Sequence, residues 1–195
     1  AHDEFQAGRD YSDSFTAATA DGSVRTVTVT IHGSNDRAII DGTDDATLTE
    51  TDSVLRTGGQ LTASDVDSPA TFVARSNIAG SNGYGRFAID ASGAWTYATT
   101  SAHNEFEAGR TYSDSFTATT ADGSVRTVTV TIRGTNDAAV IGGTSSATLV
   151  ETDAILSTGG TLTVSDVDSP ARFVAQSGVA AEYIGPWLRR LVGRG

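Results

Sequence analysis

The sequence predicts an all-β fold: immunoglobulin-like β-sandwiches in tandem, one complete unit flanked by two partial units. Three observations carry that expectation. A long segment repeats almost unchanged, its apolar residues alternate with threonines at the period of a strand, and Asp-Gly and Ser-Gly pairs punctuate the runs. "AHDEFQAGRDYSDSFTAATADGSVRTVTVTIHGSND" from Ala1 returns as "AHNEFEAGRTYSDSFTATTADGSVRTVTVTIRGTND" from Ala102. "ATLTETDSVLRTGGQLTASDVDSPATFVA" (Ala46–Ala74) returns as "ATLVETDAILSTGGTLTVSDVDSPARFVA" (Ala147–Ala175), and matching ends near Ala180. A period of about 100 residues suits small domains in series better than a short helical repeat. Its phase gives the late half of a unit over residues 1–36, a complete unit over 37–137, the early half of a unit over 138–180 and a non-repeat tail over 181–195.

Within the complete unit, strands are expected at Ala46–Glu50, Gln60–Ser64, Thr71–Arg75, Gly85–Asp90, Ala94–Ala98, Tyr112–Thr119 and Val125–Arg133. Each is short and rich in β-branched or aromatic residues. Val128, Val130 and Ile132 alternate with Thr127, Thr129 and Thr131, which gives one buried face and one wet face. Asp122-Gly123 and Ser92-Gly93 supply hairpin turns, and Trp95 and Tyr97 are expected on the inward face. Seven strands in about 100 residues is the size of an immunoglobulin-like sandwich.

Composition narrows the chemistry. The 195 residues include 13 basic and 24 acidic ones, a formal net charge of −11, and every basic residue is Arg. Such a surface disfavours nucleic acid and anionic membrane as partners and leaves cations as natural counterparts. Cysteine is absent, so neither disulfides nor thiolate metal sites are available. No apolar stretch approaches the roughly 18 residues of a membrane helix. The opening "AHDEFQAGRD" has no signal-peptide pattern and reads as the interior of something longer. His2, His32 and His103 are scattered and read as surface residues, and no Ser/His/Asp set is evident. The glycines of "SNGYGR" read as turn residues, and the chain is expected not to be an enzyme. The tail "PWLRRLVGRG" reads as an out-of-frame or artificial end, or as a short amphipathic helix.

The hexapeptide "SDVDSP" occurs at Ser64–Pro69 and again at Ser165–Pro170. In an extended segment, residues two apart point the same way, so Asp65 and Asp67 can present both carboxylates on one side. Two carboxylates that close repel unless something compensates, and Ca²⁺ takes six to eight such oxygens. A solvated turn capped by Asp and Ser is the plainer alternative. Asp65 follows Asp36 by 29 residues, and Asp166 follows Asp137 by the same interval. In a sandwich the last strand of one domain runs into the first of the next. The "ND" linker, the "ETD" loop and the "DVD" loop are therefore expected together at one junction.

"YGRFAIDASGAWTY", "YSDSFTATTADGSVRTVTVTIRGTNDAAVI" and "GGTLTVSDVDSPARFVA" resemble the VCBS repeats, cadherin-like modules of large bacterial surface adhesins and RTX-type exported proteins. The resemblance implies long tandem arrays, secreted without a cleaved N-terminal signal and presented at the bacterial cell surface. It also implies interdomain Ca²⁺. Carried over, one junction would use Asn35, Asp36, Glu50, Asp65 and Asp67, and the next Asn136, Asp137, Glu151, Asp166 and Asp168. Glu105 or Glu107 is the nearest candidate for a further acidic ligand from the preceding domain. The expected function is a Ca²⁺-stiffened spacer or adhesion module whose partners are neighbouring repeats.

Two further expectations follow. An alternative function is a carbohydrate-binding module for exopolysaccharide, with Tyr84, Trp95, Tyr97 and Trp187 as candidate platforms. The two half-units each expose an apolar face and sheet edges, which points to head-to-tail self-association.

Overall fold

A computed structural model of the chain describes residues 2–180. It divides into two units, Ala1–Ala138 with Val167–Ser169, and Ala139–Asp166 with Pro170–Gly195. The first unit begins with an antiparallel hairpin of β1 (Asp10–Ala18) and β2 (Val24–His32). A β-sandwich follows, built from β3 (Ile39–Gly42), β4 (Asp45–Thr49), β5 (Arg56–Ser64), β6 (Arg75–Ala79), β7 (Gly85–Ile89), β8 (Ala94–Thr99), β9 (Thr111–Thr119) and β10 (Val125–Arg133). One sheet has the order β4-β10-β9 and the other β3-β5-β8-β7-β6. All pairs are antiparallel except β4 with β10, which run parallel. The all-β sandwich expected from the sequence is what the chain adopts. Among the described residues no helix is long and apolar enough to cross a membrane.

The core follows from the alternation. Val128, Val130 and Ile132 of β10 are fully buried and, with Phe116 of the neighbouring β9, they form one core with Leu61, Phe87, Trp95 and Tyr97 of the other sheet. Burial of each such side chain contributes roughly 1.5–3 kcal/mol. Trp95 lies against Gly59, where a Cβ would sit 2.8 Å from its ring, so Gly59 is space left for an indole. The indole N–H donates to the Thr43 carbonyl at 2.6 Å. Gly93 takes φ +88°, the left-handed turn conformation that glycine enters without strain.

Two elements differ from expectation. Of the strand expected at Thr71–Arg75, residues 71–74 form none. Phe72 donates its N–H to Ala91 and Val73 to Thr119, so this segment crosses between the sheets instead of lengthening either. The strand begins only at Arg75. β3 was too short to stand out in the sequence, because two isoleucines before Asp41-Gly42 make no visible alternation.

One buried carboxylate secures this sandwich. Asp114 is fully buried and accepts from the Asn82 N–H at 2.7 Å, the Gly85 N–H at 2.8 Å and the Tyr97 hydroxyl at 3.1 Å. Burial, and next the charge of Asp114, raise the Tyr97 phenol above its ordinary range.

The repeat does not fold identically at its three positions. The β1–β2 hairpin has the register of β9–β10, yet almost all of it is exposed. In the second unit, β11 (Val140–Gly143) pairs with β12 (Leu162–Ser165), reproducing the register of β3 with β5. The counterparts of β4 and β6 carry no strand there. The tail over 181–195 lies outside the described residues.

Asp114→Ala should destabilise the sandwich by about 3 kcal/mol, because buried donors lose their acceptor. Asp13→Ala, at the matching place on the exposed hairpin, should change stability by less than about 0.5 kcal/mol. Chemical denaturation of the two variants checks both.

Candidate metal centre

The parallel pairing of β4 on β10 continues past the strands, where the Glu50 N–H donates to the Arg133 carbonyl at 2.8 Å. Glu50 therefore stands beside the chain as it leaves β10. Its side chain is 2% exposed, and the Thr135 hydroxyl donates to Oε2. Carboxylate oxygens of Glu50, Asp52 and Asp137 all lie within 4.8 Å of one another. Asp168 joins them, accepting from the Asp137 N–H at 3.3 Å through Oδ2. Asn136 is folded back on the linker, its amide donating to the Asp137 carbonyl at 2.6 Å while its Oδ1 accepts from the Ser169 hydroxyl at 3.1 Å.

Like charges so close demand compensation. Burial pushes the Asp137 carboxyl up to about 6, reinforced by its contact with Asp52 and by the charges of Glu50, Asp52 and Asp168. Glu50 Oε1 and Asp137 Oδ2 are buried and accept no hydrogen bond. A buried charged oxygen without a donor costs more than an exposed one, unless a cation takes the missing place. The set fits a hard divalent ion of the Ca²⁺ kind, which binds carboxylate and carbonyl oxygens at flexible geometry.

A similar arrangement stands at the entry to the sandwich. The Asp36 N–H approaches Asp67 Oδ2 at 3.3 Å, and Asn35 Oδ1 accepts from the Ser68 hydroxyl at 3.0 Å. Asp65 Oδ1 accepts from the N–H groups of Asp67 at 3.0 Å and Ser68 at 2.8 Å, and its Oδ2 is buried with no donor. Burial, and next Asp65, raise the Asp67 carboxyl above its usual range. Beyond Asp36 the linker is anchored by Asp122, which accepts from the Ala38 N–H at 2.9 Å. Hydrogen bonds from Ser124, Thr120 and Ala38 hold Asp122 well below the usual carboxylate range.

The structure thus groups Asn35, Asp36, Asp65 and Asp67, and it groups Asn136, Asp137 and Asp168. Glu50 changes places. Expected with Asp36, it stands with Asp137, because a parallel β4 runs with β10 and delivers its end to the exit of its own domain. Glu151, one period later, follows no strand and is exposed in the second unit, which also contains Asp166. Asp52 belongs to the "ETD" loop expected at a junction but was not among the expected ligands, although "ETD" has the same two-residue carboxylate spacing that singled out Asp65 and Asp67. Glu105 is engaged with His103 at 2.7 Å and Glu107 with Arg110 at 2.6 Å. The aromatic platforms are corrected too. Trp95 and Tyr97 are core residues, and Tyr84 packs edge-on against Phe106 and Tyr112, while Trp187 lies outside the described residues.

Residues 35–134 match the family model described as "Bacterial cadherin-like domain". No curated protein matches the chain. One solved structure similar to it is titled "PcdhgB3 EC1-4 in 50 mM HEPES", at 16% identity and a TM-score of 0.46. That match covers 83% of this chain, which spans 50% of the other.

The carboxyl of Asp137 binds its proton more tightly folded than unfolded. Its contribution to stability is therefore full below the ordinary carboxylate range and is lost as pH rises through about 6. With chelator present, the domain should melt at a lower temperature at pH 7.5 than at pH 5, in scans whose buffers have roughly equal ionic strength. Asp137→Asn should flatten that slope.

Proposed function

Because the chain belongs to the bacterial cadherin-like domain family, we propose that it is an extracellular, non-catalytic spacer or adhesion module stiffened by Ca²⁺. In this reading residues 37–137 are a complete repeat between the halves 1–36 and 138–180 of its neighbours, as in arrays of the VCBS and RTX type. The observation that carries it is the pair of buried, donorless oxygens on Glu50 and Asp137 within a cluster of like charges. Glu50, Asp52 and Asp137 would hold the ion, with Asp168 and the oxygens around Asn136 beside them.

A bound Ca²⁺ supplies positive charge where these carboxylates converge. The protein's own residues do the rest. Pairing of β4 with β10 presents Glu50 at a fixed height, and Thr135 orients its carboxylate by donating to Oε2. Asn136 pins the backbone at Asp137, so the linker arrives with its carboxylate already turned inward. Without the ion these charges repel and the linker is free to bend. With it, the path from β10 through Asp137 to Asp168 would be tied at both ends. The function is mechanical, and the module presents reach and stiffness rather than a reactive group.

Extracellular modules of this kind bind in roughly the 10⁻⁴–10⁻³ M range. A tenfold excess over Kd then stabilises the domain by about 1.4 kcal/mol. Calorimetric titration of the intact chain should show binding in that range, and Asp52→Asn with Asp137→Asn should abolish the component due to this cluster. Small-angle scattering should report a longer, less flexible particle in millimolar calcium than in chelator. Superimposable profiles would remove the stiffening role.

A further inference from the structure

We propose that the outward face of the sheet β3-β5-β8-β7-β6 binds an anionic polysaccharide of the polyuronate kind, gripped by Arg56 and Arg86 with Arg75 at its border. The strand registers place the first two. Arg56 of β5 and Arg86 of β7 both stand opposite Ala98 of β8. Their neighbours Phe87 and Tyr97 are buried, so Arg56, Ala98 and Arg86 point the other way, to solvent. Beside them Gly58, Thr96 and Ala88 form a second outward row, a floor of small residues. Two shallow hollows of about 450 and 430 Å³ lie on this floor and adjoin at Ala88 and Thr96. Arg75 lines the first, and Arg56 and Arg86 line the second.

The charge of this face is unspent. Among the described residues, Arg110 pairs with Glu107 and Arg126 with Asp44, whereas Arg56, Arg75 and Arg86 enter no ion pair. Arg86 donates only to the Asn77 carbonyl, at 3.3 Å. Asp90, which borders the first hollow, turns its carboxylate back on the N–H groups of Ser92 at 2.9 Å and Ala94 at 3.0 Å. The chain as a whole carries −11, but at physiological salt charges are screened beyond about 8 Å, so this face acts as a local cationic patch. Nor does the repeat require it. At the matching positions of the next copy Arg56 is replaced by Ser157 and Arg75 by Gln176, while the adjoining "TGG" and "FVA" are kept.

The geometry selects the occupant. Arg56 and Arg86 are two strand spacings apart, roughly 10 Å. Sugars alternate in orientation along a flat polyuronate ribbon, so carboxylates on one side recur at every second ring, close to that interval. Guanidinium groups bind such carboxylates through two parallel hydrogen bonds. The floor lets a ribbon lie close, and Thr96 and Asn77 border it with a hydroxyl and an amide for ring hydroxyls. An extended acidic peptide fits less well, because a sheet face offers no backbone groups to its own N–H and C=O groups. Trp95 and Tyr97 are turned inward, so recognition here is by charge and not by aromatic stacking. The proposal uses none of the carboxylate clusters and stands apart from their part in calcium binding.

Affinity electrophoresis of the full chain in gels containing polygalacturonate tests it. Chelator is present throughout, so that calcium bridges nothing. Polygalacturonate should retard the wild type, and its fully methyl-esterified, uncharged form should not. Arg56→Gln with Arg86→Gln should weaken binding by roughly tenfold, as expected for two exposed charge pairs, with thermal unfolding unchanged. Arg133→Gln makes the same change of charge on the other sheet and should bind as the wild type does. Absence of retardation overturns the proposal, as does equal binding by the double variant or equal retardation by the esterified polymer. Stronger retardation by polyglutamate than by polygalacturonate would make the occupant an acidic polypeptide and overturn the assignment to a polysaccharide.

Discussion

A single parallel strand pair decides where the charge of this protein gathers. Had β4 run antiparallel to β10, its end would have pointed back toward the entry of the sandwich and Glu50 would have joined Asp36. Running parallel, β4 ends where β10 ends, and Glu50 meets the linker at Thr135–Asp137. The pair is held by the fully buried alternation of β10 and, at its start, by an ion pair of Arg126 with Asp44 at 2.6 Å. An arrangement of apolar side chains thus fixes the position of carboxylates that make no apolar contribution of their own.

Two buried acids in the same domain show what separates a structural carboxylate from a candidate ligand. Asp114 receives three donors and shares its surroundings with a tyrosine hydroxyl. Glu50 is almost equally buried but has a donor on one oxygen and none on the other, and its near neighbours are acids. The first is a completed network that locks β8 and β9 to the loop before β7. The second is a network with an opening for positive charge. Burial alone would not distinguish them, and the placement of donors does.

Near-identical sequence takes three degrees of order along this chain. In the complete unit "YSDSFTA" and "VRTVTVTI" form two strands of a covered sheet. At the start of the chain the same residues make a hairpin with both faces wet, because the Asp21-Gly22 turn and the ladder are local whereas the covering sheet is not. Among the described residues of the second unit only the β11–β12 pair forms, whereas in the complete unit β4 pairs with β10, a strand of the late half. A strand here is a property of its neighbours as much as of its own residues.

The sequence by itself determined the β class, the period, most of the strands and the carboxylate pairs of the D-x-D loops. Each of these rests on spacing along the chain: alternation at two residues, turns at Asp-Gly, acids two apart. Only the tertiary structure decided that Phe72 crosses between sheets, that Trp95 occupies the space left by Gly59, and that Glu50 and Asp52 stand with Asp137. Those outcomes depend on which strand lies beside which and in which direction. Direction has no signature in local periodicity, because a parallel and an antiparallel neighbour ask for the same alternating residues and differ only in where the chain goes next.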